Sequence, residues 1–169
     1  MKTGQQGIDL IKHYESLHDG DLTQIGLQPK LCPAGVVTWG YGHTETYKGA
    51  QIKDFETANK QFPEMETLTV EQAEELLKKD LIKEEDKVHL RINVPVTQYQ
   101  FDALVSYFFN IGYSATMVQL VNLQASGKEI TDWMTKHYTT VNGVYMTGLF
   151  YRRQSEALLF TTGELKFFN

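Results

Sequence analysis

The sequence predicts one α+β domain, mainly helical, and three features predict it. A short apolar helix pattern occupies residues 5–17. A stretch rich in turn formers and β-branched residues follows, between residues 28 and 52. From Thr69 to Thr162 the apolar residues recur at helical spacing, broken by Pro95, Gly112 and Gly127. At 169 residues, with 41% hydrophobic and 12% aromatic residues, the chain is long enough to bury one core. It shows no internal repeat, no low-complexity tract and no Gly/Ser-rich linker to a second module.

Composition removes several function classes. A formal net charge of −5 argues against nucleic-acid binding, which calls for a basic stripe. A single cysteine, Cys32, excludes an internal disulfide and a multi-cysteine zinc site. The Asp19-Gly20-Asp21 turn lacks the ligand pattern of a calcium loop, so no metal or cofactor is expected. No segment has the length of an apolar membrane span, and the N-terminus has no signal-peptide pattern, so synthesis in the cytoplasm is the expectation.

In chain order, Ile8 and Ile11 give the first helix an apolar stripe, with Leu10, Tyr14 and Leu17 beside it and Glu15 on its edge. Residues 18–31 read as a polar loop. Lys30–Cys32, Val36–Tyr41 and Ala50–Ile52 read as strands of a meander, and residues 53–66 as loop plus a helical turn. Thr69-x-x-Gln72 is a capping-box signature that opens a long charged helix with Val70, Ala73, Leu76, Leu77, Leu81 and Val88 as its apolar positions. Thr97-x-x-Gln100 opens the most apolar helix, through Phe101, Leu104, Val105, Phe108 and Ile111. Helices over 114–126, 129–138 and 148–162 complete the chain, the first stopped by Gly127 and the last by Gly163.

The most informative stretch is Cys32-Pro-Ala-Gly-Val-Val-Thr38-Trp-Gly-Tyr-Gly-His43-Thr44. Alternating glycines at 40 and 42 read as a strand whose missing side chains let a long ligand lie close. This pattern, with Glu15 upstream on a helix, resembles the phage-type lysozymes or endolysins, glycoside hydrolase family 24. Gln100–Gly112 and Gly148-Leu-x-x-Arg152-Arg153-x-x-Glu156-x-x-Leu159-Phe160 are similar to further blocks of that family, in the same order.

The resemblance implies a lysozyme-like fold: a small antiparallel β lobe over about 18–66, a long linking helix over about 69–91, and a helical lobe over about 95–169 that includes the N-terminal helix. It implies a muramidase cutting the β-1,4 bond between N-acetylmuramic acid and N-acetylglucosamine in peptidoglycan. Glu15 would be the general acid. Burial and the helix C-terminus would raise its pKa, and Arg152, aimed at it by the resemblance, would lower it. Tyr41 and Asn110 would bind substrate. His43 would pair with Asp80 and tie the lobes together. A monomer is expected, reaching the wall through a separate holin.

The sequence departs from the commoner family pattern at one place. Cys32 stands six positions before Thr38, where an aspartate is usual. Cys32 with Thr38 would then manage the nucleophile or the water, with Asp19 or Asp21 as a substitute carboxylate. Residue by residue other readings stay open: Glu15 as a solvated helical glutamate, Thr38 as a strand residue, Cys32 as an inert thiol, Asn110 as a helix cap, and the arginine pair as a surface ion pair with Glu156. At the level of function, the alternatives are a lytic transglycosylase, a cysteine hydrolase with His43 as base, and a non-catalytic wall-binding module.

Overall fold

The computed structural model describes residues 1–169. The chain forms two compact units, Glu15–Asp80 and Met1–Tyr14 with Leu81–Asn169. In order, the elements are α1 (Gln5–Glu15), β1 (Lys30–Leu31), β2 (Val37–Thr38), β3 (Thr46–Tyr47), β4 (Ala50–Gln51), α2 (Phe55–Gln61), α3 (Val70–Arg91), α4 (Gln98–Ile111), α5 (Ala115–Asn122), α6 (Gly127–Lys136), β5 (Thr140–Val141), β6 (Val144–Tyr145) and α7 (Thr147–Thr162).

The larger unit is built on α4. Phe101, Ala103, Leu104, Val105, Tyr107 and Phe108 are all buried, so α4 is covered nearly all round. Thr97 and Gln100 form the capping box that starts it, and Gly112, at φ 83°, ends it. The last helix, α7, packs against both α4 and α6. Buried Asp102 of α4 does the work of an N-cap for α1 from a distance. It accepts the Gly4 N–H at 2.8 Å and the Gly7 N–H at 3.3 Å. A side chain at Gly7 would stand 2.9 Å from the Asp102 Cβ, so the close approach requires glycine.

The smaller unit has its own core of Val37, Trp39, Ile52, Ala58, Met65 and Leu68. Its sheet is less continuous than a meander. β1 pairs with β2 (Lys30 opposite Thr38) and β3 with β4 (Thr46 opposite Gln51), each antiparallel and separate. The Val37 N–H bonds the Ile52 carbonyl at 2.8 Å and joins the two hairpins. Asp54 caps α2 through the Thr57 N–H, and a 3-10 turn over Pro63–Met65 follows. The Thr69–Gln72 capping box is formed, its two hydrogen bonds at 2.8 and 3.2 Å. Along α3, Ala73, Leu77, Leu81, Glu84 and Val88 are buried while Val70 is exposed.

Several local expectations are corrected. The Val36–Tyr41 strand is ordered only over Val37–Thr38, and Trp39–His43 is a tight turn with Trp39 and His43 bonded to each other through both backbone pairs at 2.9 Å. Gly40 therefore does not open a strand to a ligand. It adopts φ 53° and lets the turn sit on α3, where an added Cβ would lie 2.9 Å from the Ala73 Cβ. The first helix stops at Glu15 rather than 17, with Ser16 at φ 59°. Helix α5 ends at Asn122 because Gln124 turns left-handed at φ 54°. Ser126 and Glu129 form a capping box, so Gly127 starts α6 instead of stopping α5. The β5–β6 hairpin was not expected, although Asn142-Gly143, at φ 50° and 78°, is a strong two-residue hairpin signal.

Gly40 and Gly49 separate backbone strain from packing. Gly49 also has positive φ, at 80°, but nothing lies within 4 Å of an added Cβ. Chemical denaturation is expected to show Gly49→Ala losing about 1 kcal/mol and Gly40→Ala about 2–4 kcal/mol, because overpacking against Ala73 adds to the strain.

Candidate active site

Glu15 is the last residue of α1 and is half-buried. Three residues later the His18 N–H bonds the Gly40 carbonyl at 2.7 Å. The path after Glu15 is thus pinned to the turn that follows β2. Three residues span at most about 11 Å, so Glu15 is tethered to the neighbourhood of Thr38, two residues before Gly40.

Cys32 and Thr38 lie on the two arms of the β1–β2 hairpin. The Cys32 N–H bonds the Val36 carbonyl at 2.9 Å, and the Gly35 N–H bonds the Cys32 carbonyl at 2.8 Å. Gly35 takes φ 72°, which the tight turn after Pro33 and Ala34 requires. This closure keeps the half-exposed thiol beside the backbone of the turn. The Val36 N–H and then the Ala34 N–H lower its pKa, burial opposes them, and the neighbouring Thr38 hydroxyl lowers it further. Thr38 is buried, and its hydroxyl donates to the Val36 carbonyl at 3.1 Å. The turn therefore forms a seat for negative charge.

Asp19 and Asp21 are committed to their own loop. Asp19 accepts the backbone N–H groups of Asp21 (3.1 Å) and Gln28 (3.4 Å). Asp21 accepts from the Thr23 hydroxyl at 2.6 Å and the Gln24 amide at 2.8 Å, and the Thr23 hydroxyl leads the interactions that hold its carboxyl below the usual range. They are anchors of residues 19–28, which argues against either as the substitute carboxylate.

His43 has carboxylates on both ring nitrogens. Nδ1 lies 2.9 and 3.0 Å from the two Asp80 oxygens, and Nε2 lies 3.1 Å from Glu45 Oε1. Burial favours the neutral ring, but Asp80 and then Glu45 outweigh it and raise the pKa. With both nitrogens facing acceptors, the imidazolium is the form that fits. The pair joins the 39–43 turn to α3 inside the Glu15–Asp80 unit. Glu45 was missed from the sequence. Its position two residues after His43 on an extended chain puts both side chains on one face, and that was the available signal. Tyr41, expected to face substrate, is 6% exposed and lies in the same turn.

In the helical unit, the arginine pair is not on the surface. Arg152, Arg153 and Glu156 are 2%, 0% and 0% exposed. Arg152 Nε is 3.1 Å from Glu156 Oε1, and Arg153 Nε is 2.8 Å from Oε2. The Ser106 hydroxyl also donates to Glu156, at 2.8 Å. Arg153 reaches on to Asn110, whose side-chain oxygen accepts its Nη2 at 3.0 Å. Asn110 is exposed, and Gly112 rather than Asn110 caps α4. The Arg153–Asn110 contact was not foreseen, since 43 residues separate the partners.

The phage lysozyme family model matches residues 23–156. This chain belongs to the phage lysozyme family. It is 32% identical over 166 residues to the endolysin of Acyrthosiphon pisum secondary endosymbiont phage 1, covering 95% of this chain and 98% of that protein. Among solved structures it superposes on the endolysin of Escherichia coli O157:H7 phage FAHEc1 with a TM-score of 0.76 and 30% identity, over 98% and 97% of the two chains. It also superposes on the muramidase domain of SpmX from Asticaccaulis excentricus, with a TM-score of 0.70 and 32% identity over 95% and 98%. The α+β, mainly helical architecture is thus the lysozyme-like fold, and the chain is a peptidoglycan-degrading lysozyme, a glycoside hydrolase. No helix of this lysozyme is long and apolar enough to cross a membrane.

The His43 geometry sets a pH dependence. A raised folded-state pKa means the folded state holds the proton longer. Its stabilising contribution is full below the unfolded value of about 6.5 and is lost as pH rises through the folded value. NMR titration of the ring should show a midpoint above the ordinary value in the wild type. Asp80→Asn should bring it down and flatten the loss of stability toward alkaline pH.

Proposed function

We propose that this lysozyme hydrolyses the β-1,4 bond between N-acetylmuramic acid and N-acetylglucosamine, with Glu15 as general acid and Cys32 with Thr38 in the place of the second catalytic group. The observation that carries the reading is the β1–β2 hairpin, which closes Cys32 onto Val36 at 2.9 Å and places the thiol next to a backbone that lowers its pKa, on the arm facing the one that carries Thr38. A hairpin that stabilises an anion at this position suits a carboxylate or a thiolate equally. Glu15 gives its proton to the leaving glycosidic oxygen as the bond to the sugar carbon breaks. The thiolate stabilises the positive charge that develops on that carbon. A water set between the thiolate and the Thr38 hydroxyl adds to the carbon, and its proton passes to sulfur. Solvent exchange then returns the proton balance to the starting state.

The other residues take supporting parts. Arg153 orients the exposed Asn110 amide, which suits a hydrogen bond to an acetamido group of the glycan. His43 and Asp80 hold the turn behind Thr38, and Arg152 belongs to the buried charge network of α7. The lysozyme acts as a monomer, made in the host cytoplasm and given access to the wall by a separate holin.

Turbidity loss of purified walls, with product masses, tests the assignment. Glu15→Gln should lose about a hundredfold to ten-thousandfold in rate, the range for removing a positioned acid. Cys32→Ser should be crippled, Cys32→Asp should remain active, and the products should carry one added water. An active Glu15→Gln enzyme overturns the acid, and a fully active Cys32→Ser enzyme makes the thiol a spectator. Anhydro products would mean transglycosylase chemistry, and wall binding without turnover would mean a binding module.

A further inference from the structure

The Glu15–Asp80 unit carries a recess that the reaction does not use. It is a groove of about 460 Å³ bounded by the 62–65 turn, the His43–Glu45 segment and the first half of α3. Phe62, Met65, Leu68 and Leu76 form its apolar lining. Met65 and Leu68 belong to the buried core of the unit, and Phe62 and Leu76 are partly buried against it. The groove thus runs along the edge of this core, with Phe62 and Leu76 as its partly exposed apolar floor.

The rim has the opposite character. Glu45, Glu64, Glu71 and Glu75 line the groove, against the single lysine Lys79 and the His43 ring. Glu75 is bonded to Lys78 at 2.8 Å, and Glu45 to His43 at 3.1 Å. Glu64 and Glu71 are exposed, and the N–H at the start of α3 favours the ionised form of Glu71. A groove within the roughly 300–1,000 Å³ of known ligand sites, apolar below and acidic around, suits an apolar anchor flanked by positive charge.

We propose that this groove docks a short cationic amphipathic peptide segment of a partner protein. An aromatic or branched aliphatic side chain of the segment sits on Phe62, Met65, Leu68 and Leu76. Its flanking lysines or arginines meet Glu64, Glu71 and Glu75. This is the helix- or strand-in-groove mode, in which a buried anchor gives affinity and rim charges give partner choice and salt dependence.

Trp39 supplies a reporter, because its ring lies 6.3 Å from that of Phe62. The only other tryptophan, Trp133, is in α6 and can be replaced by phenylalanine. The experiment titrates full-length Trp133→Phe protein with a synthetic amphipathic peptide of leucine, phenylalanine and lysine. The same peptide with glutamate in place of lysine is the control, and benzyltrimethylammonium is the small-cation control. The lysine peptide should give a saturable Trp39 change that the glutamate peptide does not. The combined Glu71→Gln and Glu75→Gln variant should bind at least about tenfold more weakly, and molar salt should do the same to the wild type. Wall lysis by the variant should be unchanged, since neither carboxylate is in the active site. The proposal is overturned by absence of a saturable signal at millimolar peptide, by equal binding of both peptides, or by unaltered affinity in the variant. Small-cation affinity equal to that of the peptide also overturns it, because the groove is then a small-molecule site.

Discussion

The seating of the Trp39–His43 turn on α3 is the constraint on which the smaller unit depends. It has two points of contact seven residues apart on the helix. Gly40 rides over Ala73, where no side chain fits, and His43 meets Asp80 through both carboxylate oxygens. Seven residues are two helical turns, about 10 Å, so both points fall on one face of α3. A turn held at two such points has little freedom to rotate. Thr38 immediately precedes it, and the Gly40 carbonyl anchors the chain that leaves Glu15. The packing contact and the ion pair thus reach the proposed catalytic groups through the backbone.

A different kind of constraint orders the larger unit. Glu156 lies at the middle of a buried arrangement with Arg152, Arg153 and Ser106. Removing one member of a buried charge pair leaves the other uncompensated, at a cost of about 3–5 kcal/mol. Such a network fixes side-chain geometry more than it adds stability, and its outermost contact is the exposed Asn110. At the other end of α4, Asp102 holds the N-terminus of α1 through Gly4 and Gly7. Burial raises the Asp102 pKa, while the Gly4 N–H, the Gln98 amide and the Gly7 N–H pull it down. The start of α1 is therefore held by a residue more than ninety positions away.

How much of this was legible in the sequence depends on the range of the interaction. The capping boxes at Thr69 and Thr97, the apolar spacing of α3 and α4, and the Gly163 stop were readable because each is a local pattern. The β5–β6 hairpin has an equally local signal in Asn142-Gly143. Gly40 was misread because a glycine in a strand-like stretch looks the same whether a ligand or a helix approaches it. Only the tertiary fold reveals Ala73 beneath it. At the site, motif spacing singled out Glu15, Cys32 and Thr38. The N–H groups that lower the thiol pKa belong to backbone geometry, which residue identity does not encode. Glu45 was within reach of a period-two argument, whereas Arg153 with Asn110 and Asp102 with Gly4 required the fold.

The central claim is that the hairpin favours the thiolate form of Cys32 on the arm facing Thr38. The most direct test follows the rate of iodoacetamide alkylation of Cys32 against pH, with residual wall lysis measured on the same samples. Alkylation is expected to titrate below the ordinary thiol value, with lysis lost in step with it. A midpoint at or above that value, or full lysis by the alkylated enzyme, would contradict it.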